Sequence, residues 1–300
     1  MIRRDVVVRS SKILGLAAIL LAGLAVGRPA QAITGKYVAD FEHPFVGLAV
    51  FYYADGQFSH RCSGSLLTPT VFLTAGHCVE GVASARIYFQ QDAGAHYDPA
   101  TELDPVSGYP EYCAPGTLGV VCATSHELHN YGYPAPFPNQ RDAGLVILDQ
   151  RIALPEYGQL ADAGTLDAFA TRRGQNTVTF TPSGYGLNYT NPAITVSYRS
   201  RMMAEAQLVN LTSALTDGYN VATTNNPGIG GGTCFGDSGG PIFLGGPSSN
   251  VIIGVTSFGM SSNVCAGVDY SYRTDQADLI AWIVATVPAK EARAIGLVAP

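Results

Sequence analysis

Ser238 lies between glycines in the segment Gly236-Asp237-Ser238-Gly239-Gly240-Pro241. Glycine permits unusual backbone conformations and lets a substrate approach the chain closely. A serine hydroxyl is a poor nucleophile unless a base takes its proton, and the base works best when a buried carboxylate orients it. Upstream, His77 ends one run of β-forming residues and Asp142 precedes another. We therefore predict that His77, Asp142 and Ser238 form a catalytic triad for acyl transfer.

The order of these residues decides between two classes of hydrolase. The segment around Ser238 also fits G-x-S-x-G, the nucleophile elbow of α/β-hydrolases, in which the catalytic histidine follows the serine. That arrangement is excluded because all histidines precede Ser238, at positions 43, 60, 77, 96, 126 and 129. The order His, Asp, Ser is the order found in chymotrypsin.

The elements that must position these side chains are mostly β-strands. Charged residues make up 13% of the 300-residue chain, whereas 34 glycines and 18 prolines punctuate it. Short β-rich runs recur between turn residues, for example at 71–74, 144–148 and 251–258, which predicts barrels or sandwiches. One helix is predicted near the end of the chain, where Leu279 and Ile283 fall on one face.

Residues 1–32 are typical of a secretion signal. Basic residues precede the apolar run 13–22, and Ala30-Gln31-Ala32 fits a cleavage pattern. The run is short for the alternative, a membrane anchor. We therefore expect a secreted protein, extracellular or periplasmic. Without this segment, which holds five basic residues and one acidic residue, the net charge of −6 becomes −10. Such a chain is not expected to bind nucleic acid or anionic membranes.

The cysteine pattern predicts disulfides rather than a metal site. An even set of cysteines in an exported chain is typical of disulfide bonds. The spacing offers no C-x-x-C pair and no paired His/Cys ligands, so we expect no metal. The stretch 90–141 is rich in Pro, Tyr and Asp, and we predict an extended surface loop stapled by a disulfide. The six cysteines are at positions 62, 78, 113, 122, 234 and 265.

Together, the segments around His77, Asp142 and Ser238 resemble those of the trypsin and chymotrypsin family of serine proteases, over nearly the whole chain after residue 32. The resemblance implies an all-β fold of two six-stranded antiparallel β-barrels, with the active site between them and a C-terminal α-helix. It places the protease domain at 33–287, with barrels at about 33–155 and 156–275, a helix at about 276–286 and a tail at 288–300. The disulfides it implies are Cys62 with Cys78, Cys234 with Cys265 and Cys113 with Cys122.

The family also implies roles for the backbone around the serine. The N–H groups of Gly236 and Ser238 would form the oxyanion hole, which holds the negative oxygen of the tetrahedral intermediate. Cleavage after Ala32 would expose Ile33, and its ammonium group would pair with the carboxylate of Asp237. We hypothesise that signal removal itself activates the enzyme.

The resemblance also implies a substrate pocket. Gly232 would form its floor, and Thr233 follows it in the pocket. In the family, an Asp at the floor selects Lys or Arg, and this chain has Gly232 there instead. Ser257-Phe258-Gly259 would wall the pocket and bind the substrate backbone. One alignment places Gly267 on the wall and favours an apolar substrate side chain. Another brings Asp269 inside and restores a preference for basic side chains. Of the two, we favour the apolar alternative.

The function implied is a secreted serine endopeptidase that hydrolyses protein or peptide substrates through an acyl-enzyme intermediate. No cofactor is expected, and the protein is expected to be a monomer. The alternative is a catalytically silent binding module with a protease fold. The complete triad together with the oxyanion glycine favours the enzyme.

Overall fold

The computed structural model describes residues 33–93, 103, 108–110, 113, 122–170, 177–190, 193, 195–197, 199–226, 228–260 and 264–299. Its helices are α1 (Gly76–Val79), a 3-10 helix (Thr165–Phe169), α2 (Ala277–Thr286) and α3 (Ala289–Ala292). Its strands, in chain order, are β1 (Thr34–Gly35), β2 (Tyr37–Ala39), β3 (Val46–Tyr52), β4 (Phe58–Leu66), β5 (Val71–Thr74), β6 (Ser84–Tyr88), β7 (Cys122–Ser125), β8 (Glu127–Asn130), β9 (Gly144–Ile147), β10 (Gln159–Ala161), β11 (Thr179–Gly184), β12 (Tyr189–Thr190), β13 (Thr195–Val196), β14 (Met202–Ala204), β15 (Ala206–Asn210), β16 (Asn220–Asn225), β17 (Gly231–Gly232), β18 (Pro241–Leu244), β19 (Val251–Gly259), β20 (Gly267–Arg273) and β21 (Leu297–Val298).

The first barrel is a nearly closed antiparallel sheet of seven strands in the order β7-β6-β3-β4-β5-β9-β8. Strand β3 is buried along its whole length, as its apolar sequence allows. Close packing requires glycine on β4, because a Cβ atom at Gly64 would lie 2.4 Å from the ring of Phe72. The interior is filled by large apolar side chains, including Phe45, Leu48 and Phe72.

The second barrel is a closed ring of six antiparallel strands, β11, β15, β16, β20, β19 and β18. Strand β18 pairs with both β11 and β19, which closes the ring. Phe180, Val221, Ile242 and Ile253 fill its interior. The predicted all-β fold of two antiparallel barrels with a C-terminal helix is confirmed, with seven rather than six strands in the first barrel over the described residues.

The predicted surface loop at 90–141 is wrong in part. Residues 122–130 form β7 and β8, which pair with β6 and β9 of the first barrel. These strands contain few apolar residues, so their hydrophobic pattern does not predict them. The predicted disulfide between Cys113 and Cys122 is present, and it attaches residue 113 to the start of β7. The described residues also contain the disulfides Cys62–Cys78 and Cys234–Cys265.

Both ends of the described chain pair with the second half of the molecule. Strands β1 and β2 pair with β17 and β14, although residues 33–39 fall within the range predicted for the first barrel. The predicted tail at 288–300 contains α3 and β21, and β21 pairs in parallel with β10. No described helix has the length and apolarity needed to cross a membrane.

The buried face of α2 provides a test of the core. Leu279 is fully buried, whereas Val284 on the same helix is 40% exposed. We expect Leu279→Ala to lower the free energy of unfolding by roughly 2–5 kcal/mol, because it leaves a cavity. Val284→Ala is the matched control and should cost less than about 1 kcal/mol. Urea unfolding of both variants measures the difference, and equal losses would contradict this account of the packing.

Candidate active site

His77 and Asp142 are joined by strand pairing. Strand β5 runs beside β9 with Thr74 opposite Gly144, so the residues just after β5 lie beside those just before β9. The carboxylate of Asp142 accepts a hydrogen bond from the backbone N–H of His77 at 2.8 Å. Its Oδ2 lies 2.9 Å from His77 Nδ1. Asp142 is buried, and this contact fixes the orientation of the imidazole ring.

A third donor to Asp142 comes from the other barrel. Ser257, on β19, donates its hydroxyl to Asp142 Oδ2. Sequence reasoning assigned Ser257 to the pocket wall and gave no sign of this contact. The ring of Tyr133 packs edge-on to His77, with centroids 5.9 Å apart, and this contact also had no signal in the sequence.

The loop that carries Ser238 lies against the strand end that leads into His77. A Cβ atom at Gly239 would lie 2.1 Å from Thr74 Oγ1 and 2.6 Å from the backbone nitrogen of Ala75, so only glycine allows this approach. Gly239 has a φ of +76°, which glycine also tolerates best. Over the described residues, no hydrogen bond joins Ser238 Oγ to His77. Such catalytic bonds often tighten only when substrate is bound.

The peptide groups around Ser238 are held by Ser63 of the first barrel. Ser63 Oγ donates to the carbonyl oxygen of Gly236 at 2.9 Å, and Ser63 N–H donates to the carbonyl oxygen of Ser238 at 2.8 Å. Gly236 has a φ of +96°. Within the described part of the chain, the N–H groups of Gly236 and Ser238 donate to no acceptor. Two backbone donors beside the serine are therefore available to a ligand.

Asp237 is a buried carboxylate directly behind this loop. It accepts hydrogen bonds from the N–H groups of Gly186 at 2.7 Å and Cys234 at 2.9 Å. Burial raises the pKa of Asp237 to about 7, although both N–H donors act to lower it. Sequence reasoning missed Gly186, where a Cβ atom would lie 2.4 Å from the Asp237 carboxyl group.

Ile33 is buried in a small apolar cluster. Its side chain packs against Met202 and Ala204. Met202 pairs with Gly184, and a Cβ atom at Gly184 would lie 2.4 Å from Asp237 Oδ1. Among the residues that the structure describes, no hydrogen bond links Ile33 to Asp237.

A cavity of about 410 Å³ opens beside Ser238. Of the predicted pocket residues, Thr233, Ser257, Phe258 and Gly259 line it. Gly232 and Gly267 are not among the described lining residues. Gly232 is buried on β17, and Gly267 is exposed at the start of β20.

Asp269 is the ionisable group that lines this cavity among the described residues. Its Oδ2 accepts the N–H of Thr233 at 2.6 Å, and its Oδ1 accepts the side-chain N–H of Asn225 at 3.2 Å. Burial raises the pKa of Asp269 to about 6. Gly232 makes room for this carboxylate, because a Cβ atom there would lie 2.6 Å from Asp269 Oδ2. The absence of a side chain at position 232 is therefore coupled to the acid at position 269.

One cluster near the site has the residue types of a metal site. Potential ligand atoms of Cys62, His77 and Cys78 lie within 4.8 Å of one another. Cys62 and Cys78 are joined in a disulfide, so neither supplies a thiolate. This cluster therefore offers a metal a single good ligand, His77, which is already bonded to Asp142.

Comparisons with known proteins agree with this architecture. A family model described as Trypsin matches residues 35–283. Trypsin zeta from Drosophila erecta is 26% identical over 288 residues, covering 87% of this chain and 92% of that protein. Brachyurin from Leptuca pugilator is 29% identical over 214 residues, covering 69% of this chain and 79% of that protein. The solved structure of HL collagenase matches with a TM-score of 0.59 and 18% identity, covering 83% of this chain and 95% of that chain.

The chain has two antiparallel barrels, and a histidine–aspartate pair and a glycine-flanked serine lie where the barrels meet. This arrangement defines the chymotrypsin-like class of folds. The Trypsin family model covers most of the chain. The chain therefore belongs to the trypsin family of serine proteases, as its motifs predicted.

Proposed function

We propose that the protein is a secreted serine endopeptidase in which His77, Asp142 and Ser238 form the catalytic triad. The observation that supports this most directly is the pair of contacts from the Asp142 carboxylate to the backbone N–H and Nδ1 of His77. A carboxylate in this position holds the imidazole with its other nitrogen available as a base and stabilises the imidazolium that forms. Protein and peptide substrates follow from the family.

The proposed reaction is acyl transfer. Ser238 Oγ attacks the carbonyl carbon of the scissile peptide bond while His77 takes its proton. The carbonyl oxygen becomes an oxyanion, which the N–H groups of Gly236 and Ser238 stabilise by hydrogen bonds. His77 then gives the proton to the leaving amine, and the C–N bond breaks. Water, activated by His77 in the same way, releases the acyl group from Ser238.

Labelling with an organofluorophosphonate probe tests the nucleophile. We expect one stoichiometric adduct by intact mass, because a base-activated serine attacks phosphorus as it attacks a carbonyl. Ser238→Ala should give no adduct, and Ser248→Ala, which changes an exposed serine in a turn, should label like the wild type. A correctly folded wild-type protein that takes up no probe would contradict the proposal and favour the silent binding module.

We further propose that the cavity binds a lysine or arginine side chain on the acyl side of the cleaved bond. The cavity combines apolar walls, such as Phe258 and Val264, with the carboxylate of Asp269. Long basic side chains place an aliphatic stem along apolar surface and a charge at its end. The position of Asp269 on the cavity wall therefore supports the alignment that places Asp269 in the pocket, rather than the alignment that places Gly267 there.

Peptides that differ only in the residue before the cleaved bond test this preference. We expect Arg to be preferred to Phe at pH 8. The preference should weaken as the pH falls below about 6, because the pKa of Asp269 is about 6 and the protonated acid carries no charge. Asp269→Asn should lower the Arg-to-Phe ratio of kcat/KM by roughly 10- to 100-fold, the effect of removing a hydrogen-bonded charge. A ratio that stays unchanged in the variant would show that Asp269 does not select the substrate.

Activation is proposed to require a free N-terminus at Ile33. Asp237 is buried with two N–H donors, and a cation beside it would offset the cost of burying its charge. Ile33 has a φ of 66°, a conformation that a β-branched residue adopts at a cost. A residue with a free amino group has no φ angle, so cleavage before Ile33 would remove this cost.

Two protein forms, one beginning at Ile33 and one at Ala32, test activation. We expect the Ile33 form to have at least about tenfold higher kcat/KM, since the buried ion pair orders the Ser238 loop. Without the Ile33–Asp237 ion pair, burial raises the pKa of Asp237 from 3.8 in the unfolded chain to about 7 in the folded protein. The protonated Asp237 therefore contributes its full stabilisation below pH 3.8, and this contribution is lost as the pH rises through 7. The Ala32 form should therefore lose thermal stability over this range, and Asp237→Asn should abolish the loss. Equal activity in both forms would exclude this mechanism.

A further inference from the structure

Arg61 is a half-buried basic residue beside the Ser238 loop. It lies on β4, two residues before Ser63, which bonds to the carbonyl groups of Gly236 and Ser238. A Cβ atom at Gly236 would lie 3.2 Å from Arg61 Nε. The Arg61 side chain therefore rests against the segment that supplies the two free N–H groups.

The Arg61 guanidinium group is held in place by neutral partners. Its Nη1 donates to the hydroxyl of Tyr109 at 2.8 Å, and its Nη2 donates to Ser197 Oγ at 2.9 Å. The guanidinium of Arg199 stacks on the Tyr109 ring, 4.1 Å from its centroid. Across the described ranges, Arg61 forms no salt bridge, although its charge acts at longer range to lower the pKa of the buried Asp237. Its remaining N–H donors can serve a ligand.

Arg61 lies beside the Ser238 loop but is not among the described residues that line the cavity. Ser257 and Phe258 of β19 line the cavity, whereas the Cys62–Cys78 disulfide next to Arg61 is not part of its described lining. If the acyl part of a substrate fills the cavity, the leaving peptide lies outside it, and β4 is a strand that contacts the Ser238 loop without lining the cavity. Two residues of a strand span about 7 Å, so the distance along β4 from Ser63 to Arg61 matches two extended substrate residues.

We infer that Arg61 is a specificity-determining residue that binds an acidic side chain at the first or second residue of the leaving peptide. The inference rests on the proposed peptidase function. The chain as a whole is acidic, with 23 Asp and Glu against 17 Lys and Arg. The acidic surface acts on all peptides of the same net charge in the same way. A local positive charge beside the serine therefore distinguishes peptides by the side chain placed next to it. Tyr109, in the stretch predicted as a surface loop, orients this charge.

The test uses quenched peptides that differ only at the two positions after the cleaved bond, with Asp, Asn or Lys there. For the wild type we expect kcat/KM to be about fivefold higher with Asp than with Asn, the range of a partly exposed ion pair. Arg61→Gln should bring this ratio to about one. Arg61→Lys, which keeps the charge but loses the planar fork, should leave a ratio of about two.

Arg151→Gln is the matched control, because it removes one positive charge from a residue that pairs with Glu291 on α3. It should keep the wild-type ratio. Raising the salt concentration to about 1 M should also bring the wild-type ratio toward one, since charges are then screened beyond about 3 Å.

The outcomes separate this inference from the proposed function. If the wild type cleaves the peptides without an Asp preference, or if Arg61→Gln retains the preference, the assignment to Arg61 is overturned while the peptidase stands. A loss in Arg61→Gln that is equal for Asp, Asn and Lys would also overturn it. If the wild type cleaves none of the peptides, the proposed function fails and this inference fails with it.

Discussion

The buried carboxylate of Asp237 is the constraint around which the site is built. A charge in the protein interior is costly unless hydrogen-bond donors surround it, and here the chain supplies the N–H groups of Gly186 and Cys234. Asp237 N–H in turn bonds to the carbonyl oxygen of Cys234, which closes a tight loop. Gly236, the residue before Asp237, has a φ of +96°, in the left-handed region that favours glycine. One buried acid thus shapes the backbone beside Ser238 and the edge of the neighbouring cavity.

The residues of the site could be predicted from the sequence because this chemistry requires fixed residue types in short segments. His77, Asp142 and Ser238 each occur in such a segment, and their order selects the fold. The position of Asp269 could not be read in the same way. On a strand, a shift of one residue moves every side chain to the other face, and β20 carries no marker of its register. Its pairing with β16, which sets Thr223 opposite Asp269, supplies that information only in three dimensions.

Contacts between residues far apart in the chain account for what the sequence left unpredicted. Arg61 and Ser197 are 136 positions apart, and no local pattern connects them. Strands β7 and β8 were predicted as loop because they contain few apolar residues, and pairing with β6 and β9 holds them instead. Strand β2 likewise belongs with the second half of the molecule because it pairs with β14. In each case the partner, rather than the segment, determines the structure.

The three donors to Asp142 come from both barrels, two from His77 and one from Ser257 on β19. Ser238, on the second barrel, is likewise held by Ser63 of the first. Under the proposed mechanism, a molecule with only one barrel folded has no working site. If the proposed mechanism holds, incompletely folded copies would be unable to digest their neighbours during synthesis. Under that mechanism, division of the site between two barrels would delay proteolytic activity until folding is complete.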